Sequence, residues 1–305
     1  MSLIKRIINV GGLTLISRVP GFARDILMAS ALGAGLAADA FFIAFKLPNF
    51  FRRLFAEGAF TAGFVPLFAK RLGRGADGKE QAISFASKTL GVFLPTLLLV
   101  LALFEISMPW VMELLTGGFD EAEPQKFDLV VKLARITFPY LLLISLVTLL
   151  AGVLNGLGKF SAAAFAPVFL NICMIAGLLF WPGGAVHSAT TLAIAVSIAG
   201  IVQLLWLLIA VWRANITITL PKPKLTPSIK QLVKVAGPAA VGAGIMQINL
   251  LVDLLIAARM LPEGSISYLF YADRLNQLPI GIIGVAIGTV LLPSISKALG
   301  AGDTA

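Results

Sequence analysis

The chain has 305 residues, of which 58% are hydrophobic and 13% are charged, and its formal net charge is +9. Soluble domains contain about 45–50% apolar and about 25% charged residues, so this composition excludes a soluble globular protein and indicates a polytopic membrane protein. Nucleic-acid binding is disfavoured as well, because the basic residues are not pooled in one patch but recur between apolar segments.

Cysteine and histidine are scarce, which limits the chemistry open to the chain. The single cysteine, Cys173, and the single histidine, His187, exclude a disulfide framework and disfavour a metal site built from these residue types. Cys173 lies in an apolar stretch and is predicted to be a small buried residue. The sequence has no P-loop and little material for a nucleophile–base pair. We therefore predict no enzymatic activity, no metal and no other cofactor.

The apolar segments predict an all-α protein with about eight transmembrane helices, each close to the roughly 20 residues that cross the hydrocarbon core. They cover residues 7–33, 38–69, 86–112, 129–156, 161–182, 189–212, 229–258 and 266–298. Because Arg18 interrupts the first segment, it is interpreted as a membrane helix and not as a signal peptide.

Proline and glycine break the first two and the last two predicted helices. The breaking residues are Pro20, Gly21, Pro48, Pro238 and Pro279. Such residues are tolerated at membrane depth where the freed backbone groups meet protein or water. These four helices are therefore predicted to border a cavity.

The loops alternate in charge along the chain and predict its orientation. The loops after the second, fourth and sixth helices and the end of the eighth are basic: Lys70, Arg71, Arg74, Lys79, Lys159, Arg213, Lys222, Lys224, Lys230, Lys234 and Lys297. The opposite loops are uncharged or acidic: Glu113, Asp120, Glu121, Glu123 and Glu263. Because cytoplasmic loops carry the excess of lysine and arginine, we predict a cytoplasmic N-terminus and an external loop at 120–123.

A basic, proline-rich connector predicts a domain boundary. The predicted units are an N-terminal six-helix lobe at 1–214, a cytoplasmic linker at 215–228, and the first two helices of an incomplete second lobe at 229–305. A shift of 227 residues aligns Pro66 with Pro293, among other matches. Because an even number of helices separates the copies, both keep one orientation, as in transporters with parallel repeats.

Cationic side chains inside the apolar stretches are the most informative feature of the sequence. Five fall in the first two predicted helices: Arg18, Arg24, Lys46, Arg52 and Arg53. Each charge at the bilayer centre costs roughly 2.5–3.5 kcal/mol, so five that faced lipid would cost on the order of 15 kcal/mol. They are predicted to face a water-filled cavity or each other. Arginine in such a cavity favours an anionic cargo, because its planar fork binds phosphate oxygens bidentately.

In the first helix, the Pro20–Gly21 pair is predicted to kink the chain and turn Arg18 and Arg24 toward one space. The functional interpretation is anion binding. Asp25 follows Arg24 directly, so a buried structural ion-pair network is the alternative.

The second helix holds both ligand candidates and structural ones. Arg53 and Glu57 are four residues apart, which favours a local salt bridge, whereas Arg52 has no such acid and is the better ligand candidate. Lys46 either faces the cavity or extends to the membrane interface. Asp39, at the outer end, is interpreted as a helix N-terminal cap or a functional residue.

In the last two helices, Arg274 is a further cavity candidate, with Asp273 beside it. Asp253 either pairs with Arg259 or titrates in the cavity. The aromatic-rich run 41–51 is more typical of a packing surface than of a ligand box.

Four segments, 17–25, 38–68, 154–172 and 271–293, resemble the MurJ (MviN) family of lipid II flippases of the bacterial cytoplasmic membrane, within the multidrug/oligosaccharidyl-lipid/polysaccharide exporter superfamily. The resemblance implies that the headgroup diphosphate is bound by cavity arginines: Arg18, Arg24, Arg52 and Arg274. Gating or supporting roles are assigned to Asp25, Asp39, Lys46, Asn49, Arg53, Glu57 and Asp273.

The implied function is movement of lipid II, a polyprenyl-diphosphate-linked disaccharide-peptide, from the cytoplasmic to the outer leaflet by alternating access. The implied partners are lipid II, membrane lipids and other cell-wall synthesis proteins. The alternatives are another exporter of the same superfamily, either for a polysaccharide-lipid or as a drug or cation antiporter, and a non-transporting membrane interaction protein whose arginines brace helices.

Two features depart from the family pattern. Family members usually have fourteen helices, so we expect this chain to be the N-terminal part of such a protein, without the lipid-tail groove and unable to transport alone. Gln277 stands where many relatives carry glutamate, which weakens any ion-coupling role at that position.

Overall fold

A computed structural model describes the protein over residues 19–117 and 124–276, apart from the side chains at 55–57, 59 and 246. Over these ranges the chain is helical and contains no strand. The helices are α1 (19–32), α2 (Leu36–Phe51), α3 (Thr61–Leu72), α4 (Gly78–Thr116), α5 (Pro124–Thr137), α6 (Tyr140–Gly156), α7 (Ser161–Phe180), α8 (Ala185–Arg213), α9 (Pro227–Met260) and α10 (265–276). A π-helical segment, Arg52–Phe60, joins α2 to α3.

Five stretches of the described chain are long and apolar enough to cross a membrane. They are Gly78–Thr116, Pro124–Gly156, Ser161–Phe180, Ala185–Arg213 and Pro227–Met260. These stretches coincide with the third to seventh predicted helices, so the prediction of an all-α polytopic membrane protein is confirmed. The second predicted helix is described as α2, the π-helical segment and α3. The predicted helices at 7–33 and 266–298 extend outside the described residues, and the total of eight stays a prediction.

Proline explains the irregularity between α2 and α3. Pro48 has no backbone N–H, so it cannot bond to the carbonyl oxygen of Ala44 one turn earlier. The hydroxyl of Thr137 on α5 donates to that oxygen at 3.3 Å instead. The π-helical segment begins shortly after this break, and short π-helical stretches are frequent at functional sites.

Aromatic side chains fill much of the helix packing. The largest fully buried ones are Phe41, Phe64, Phe68, Phe85 and Phe138. Phe42 stacks on Phe270 with ring centroids 3.9 Å apart, which joins α2 to α10. The interpretation of the run 41–51 as a packing surface is therefore confirmed for its first half.

The proline-rich connector lies against α4. The backbone N–H of Thr219 donates to the hydroxyl of Ser87 at 3.1 Å. A Cβ on Gly91 would lie 2.6 Å from the carbonyl oxygen of Pro221, so this close approach requires glycine. The division into lobes and linker stays a prediction.

Candidate functional site

Three charged side chains meet between α1 and α10. The guanidinium of Arg24 donates from Nε and Nη2 to Oδ1 of Asp25, at 3.0 and 2.6 Å. Nε of Arg274 lies 3.6 Å from Oδ2 of the same carboxylate. The Arg24 and Asp25 side chains are largely buried, with 11% and 12% of their surfaces exposed. Asp25 therefore bridges two arginines in the interior of the helix bundle.

Asn171 on α7 holds Arg24 from a third helix. Its side-chain oxygen accepts a hydrogen bond from Nη1 of Arg24 at 2.9 Å, and the residue is buried. Sequence reasoning did not single out Asn171, although it lies in one of the four motif segments. An asparagine in an otherwise apolar helix was the available signal, because a buried amide requires a partner.

These residues share one level in the bundle. Arg24, Asn171 and Arg274 each lie about nine residues, or roughly 13 Å, from the end of the helix nearest the α1–α2 turn. We call that end of the bundle the outer end, after the predicted orientation. The guanidinium of Arg274 also lies over the Phe270 ring, 4.9 Å from its centroid, which is within cation–π range.

Arg52 and Asn49 form a second polar group nearer the middle of the bundle. Nε of Arg52 donates to the side-chain oxygen of Asn49 at 3.3 Å, and the Asn49 amide donates to the carbonyl oxygen of Phe45 at 3.0 Å. Asn49 thus fixes Arg52 to its own helix. Arg53, in contrast, is exposed.

Lys46 is half-buried, and the charges that act on it include Asp253, Asp273 and Arg53. The aspartates come from α9 and α10, so Lys46 lies in a mixed charge environment between helices. Its assignment to the cavity or to the interface stays open.

Asp39 caps a helix N-terminus, as one interpretation predicted, and the helix is α10. The carboxylate is buried and accepts hydrogen bonds from the backbone N–H groups of Gly264 and Ser267 at 2.7 and 2.9 Å. The Ser267 hydroxyl donates to it as well. In return, Glu263 accepts a hydrogen bond from the backbone N–H of Leu36 at 2.8 Å. The first turns of α2 and α10 therefore cap each other, and we call these bonds the outer contact.

Two further bonds reinforce the outer end. The hydroxyl of Tyr271 donates to the carbonyl oxygen of Gly33 at 3.0 Å. Arg259 donates from Nη2 to the carbonyl oxygen of Leu114, in the last turn of α4, at 2.7 Å. Within the described ranges no salt bridge joins Arg259 to Asp253, so of the two alternatives for Asp253 the structure does not show the pairing.

Small residues bring α9 close to the π-helical segment and to α3, from the middle of α9 toward the opposite, inner end of the bundle. A Cβ on Gly58 would lie 2.7 Å from the Cβ of Ala243, and a Cβ on Gly63 would lie 3.2 Å from the Cβ of Ala236. We call these two approaches the inner contact. Close backbone approach at small residues is the usual packing mode of membrane helices.

Two predicted site residues lie outside the described part of the chain. They are Arg18 and the side chain of Glu57, so the pairing of Glu57 with Arg53 stays a prediction. Over the part of the chain that the structure describes, no group of three or more metal-ligating side chains occurs.

Comparison with known proteins gives consistent matches. A family model described as lipid II flippase MurJ matches residues 28–305. A probable lipid II flippase MurJ from Rhizobium tropici is 47% identical over 99% of this chain and 56% of its own length. A solved structure of lipid II flippase MurJ in an inward closed conformation gives a TM-score of 0.76 at 29% identity, over 95% of this chain and 59% of that one.

A more distant match concerns the fold alone. An inward-facing multidrug resistance transporter of the MATE family and MOP superfamily gives a TM-score of 0.62 at 21% identity, over 99% of this chain and 64% of that one. The chain spans about half the length of the curated relatives it matches.

Proposed function

The chain belongs to the MurJ family of lipid II flippases, and we propose that it takes part in moving lipid II from the cytoplasmic to the outer leaflet of the bacterial cytoplasmic membrane. Lipid II carries a diphosphate between its polyprenyl tail and its sugar headgroup. A flippase leaves the covalent structure of its substrate unchanged, which agrees with the prediction that the chain is not an enzyme.

The observation that carries the proposal is the pair of arginines gathered on one carboxylate inside the bundle. Arg24 and Arg274 provide two positive charges against the one negative charge of Asp25, and the other charges that act on Arg274, those of Asp273 and Arg53, have opposite signs. In a low-dielectric site the sign of the fixed charge sets the sign of the preferred cargo. This excess of positive charge favours an anionic headgroup over the cation of an antiporter.

The geometry of Asp25 supports a phosphate ligand in particular. Nε and Nη2 of Arg24 donate to one oxygen of Asp25, and this leaves one N–H on Nη1 and one on Nη2 to donate to phosphate oxygens. We assign the diphosphate to Arg18, Arg24, Arg52 and Arg274, with Arg52 positioned by Asn49. Supporting roles fall to Asp25, Lys46, Arg53, Glu57 and Asp273.

Alternating access is proposed to use the outer contact as one closure. The bonds from Asp39 to α10 and from Glu263 to α2 join the second and last helices at the outer end. Leu36 and Glu263 are 227 residues apart, which is the shift of the predicted repeat. Residues related by a parallel repeat meet in this way near its axis, where two lobes rock against each other.

The inner contact is proposed to be the opposite closure. Gly58 and Gly63 on one side and Ala243 and Ala236 on the other leave no space between the helices at that end. With both contacts made, the arginine cluster lies between two closed ends. Transport would then open the inner contact to admit the headgroup and the outer contact to release it, never both together.

The orientation follows the same proposal. The N-terminus and the basic loops lie in the cytoplasm, and the outer contact faces the opposite side. Six helices of a first lobe precede the linker, and α9 and α10 begin a second lobe. Membrane lipids surround the bundle, and other cell-wall synthesis proteins are proposed partners.

The test compares lipids that share a tail and differ in headgroup charge. The chain is reconstituted in nanodiscs, and undecaprenyl diphosphate, undecaprenyl phosphate and neutral undecaprenol compete for binding, followed by native mass spectrometry. We expect binding to fall in that order. Equal binding of undecaprenol and undecaprenyl diphosphate would refute the proposed substrate class.

A further inference from the structure

The hydrogen bond between Asn171 and Arg24 indicates a role for Asn171 in addition to helix packing. We infer that Asn171 is a positioning residue, which holds the guanidinium of Arg24 in the orientation that binds the diphosphate of the lipid cargo. The inference rests on the proposed function, because it assigns a role at the same site.

The donors of Arg24 are divided among defined partners. A guanidinium has five N–H donors. Nε and Nη2 each donate to Asp25, and Nη1 donates to Asn171. Within the described residues the other two N–H groups have no partner. Asn171 and Asp25 therefore fix the plane of the group from two sides and leave two donors for a ligand.

Asn171 is itself held in place. It is 7% exposed, in the middle of α7. A Cβ on Gly21 would lie 3.7 Å from its side-chain nitrogen, so the amide packs against α1 one turn before Arg24. A side chain clamped in this way has little freedom to follow Arg24 if that arginine moves. The guanidinium of Arg24 is thus held from α7, a helix that takes part in neither the outer nor the inner contact.

The side chain of Asn171 is an amide and carries no charge, which matters for the charge balance of the site. Asn171 accepts a hydrogen bond without reducing the positive charge of the cluster, whereas Asp25 already offsets one of its two charges. A carboxylate at position 171 would keep the shape and the acceptor but would cancel the remaining excess charge. A residue that only braces α1 against α7 would gain from that change, because hydrogen bonds between charged groups are stronger than neutral ones.

The test uses Asn171→Asp and Asn171→Leu in the full 305-residue chain. Gln203→Leu is the matched control, because Gln203 is a buried amide on α8 that donates to the carbonyl oxygen of Ala166 on α7 at 2.9 Å. It removes the same kind of interhelical bond without contacting Arg24. Binding of undecaprenyl diphosphate and of undecaprenol is measured in nanodiscs, together with folded yield and thermal unfolding.

We expect Asn171→Asp to weaken undecaprenyl diphosphate binding by about tenfold, because its carboxylate holds Arg24 more tightly than the amide does and offsets part of the positive charge, while folded yield stays normal. Asn171→Leu should weaken it as well, and Gln203→Leu should not. If Asn171→Asp lowers the folded yield, the inference is tested instead by comparing diphosphate binding between Asn171→Leu and Gln203→Leu. Wild-type binding by Asn171→Asp, or equal loss in both leucine variants, would overturn the inference.

A double-mutant cycle shows whether Asn171 acts through Arg24. In an Arg24→Ala background, Asn171→Leu should cause little further loss of diphosphate binding. A loss as large as in the wild-type background would mean that the leucine substitution acts on something other than Arg24, which contradicts the positioning role. Failure of the proposed function itself gives a different result, because wild type would then bind undecaprenol as well as the diphosphate.

Discussion

Asp39 and Ser267 lie 228 residues apart in the sequence, yet the backbone N–H of Ser267 donates to Oδ1 of Asp39 at 2.9 Å. The same carboxylate accepts from Gly264 at 2.7 Å, so it binds the free N–H groups at the start of α10. A negative charge at a helix N-terminus is stabilising, and a cap contributes about 1 kcal/mol. One buried side chain therefore contributes much of the stability of the outer contact.

Replacing Asp39 with asparagine should open the outer end more often. The variant loses the charge and places an amide NH2 group near N–H donors. A cysteine introduced at Ala37, which is 4% exposed, reports the opening through its rate of labelling by a water-soluble maleimide on a Cys173→Ala background. We expect labelling to be about threefold to tenfold faster than in the parent protein, since one of the two acceptor oxygens is replaced by an NH2 group and about 1 kcal/mol of hydrogen bonding is lost.

The control for this change is Asp77→Asn. Asp77 is the N-cap residue of α4, but its side chain makes no capping hydrogen bond there. The labelling rate at position 37 should stay as in the parent protein. A similar rate in all three proteins would show that Asp39 does not hold the outer end closed.

Arg259 should stabilise the same end by a separate bond. Its guanidinium donates to the carbonyl oxygen of Leu114, and a cation near a helix C-terminus is favourable by about 0.3–1 kcal/mol. Arg259→Ala should therefore speed labelling at position 37 by about twofold to fivefold. Arg213→Ala, which removes an exposed arginine at the C-terminal end of α8, serves as control and should have no effect. Equal rates in both variants would contradict the role of Arg259.

The inner contact can be tested by disulfide cross-linking. A disulfide needs Cβ atoms about 3.8 Å apart, and a Cβ on Gly63 would lie 3.2 Å from that of Ala236. The pair Gly63→Cys with Ala236→Cys should oxidise readily and slow any access from the inner side. The pair Gly63→Cys with Gly242→Cys should not cross-link, because a Cβ on Gly242 meets nothing within 4 Å. Failure of the first pair, or equal cross-linking of both, would count against the inner contact.

The orientation is tested by labelling exposed loops from outside intact cells. Cysteines replace Arg74 in the basic loop after α3 and His187 at the start of α8, on a Cys173→Ala background. An impermeant maleimide should label position 187 and leave position 74 unlabelled until the cells are opened. The reverse pattern would mean that the predicted orientation is wrong.

The sequence predicted the features that follow from composition. Long apolar runs predicted the membrane helices, and the cost of burying charge predicted that Arg24 would face a water-filled cavity or other charged side chains. Proline placed the break at Pro48, but not the π-helical segment that follows, because that geometry depends on how neighbours such as Thr137 satisfy the freed carbonyl group.

Contacts between distant segments were harder to predict. The cap that Asp39 forms on α10 and the bond between Asn171 and Arg24 join helices far apart in the sequence. Such bonds depend on which helices pack together and at what level, which neither periodicity nor local spacing contains. The close approach of Gly58 to Ala243 was equally hard to predict, because small residues are too common in this chain to identify a helix contact by themselves.

The central claim is that arginines in the bundle bind the diphosphate of a lipid cargo, and its most direct test is the affinity of alanine variants. Binding of undecaprenyl diphosphate is measured for wild type, Arg24→Ala, Arg274→Ala and the control Arg213→Ala in nanodiscs. Each cavity variant should bind at least about tenfold more weakly, since a charge-assisted bond is lost, while Arg213→Ala and the binding of undecaprenol stay unchanged. Wild-type affinity in both cavity variants would contradict the account and leave these arginines as braces between helices.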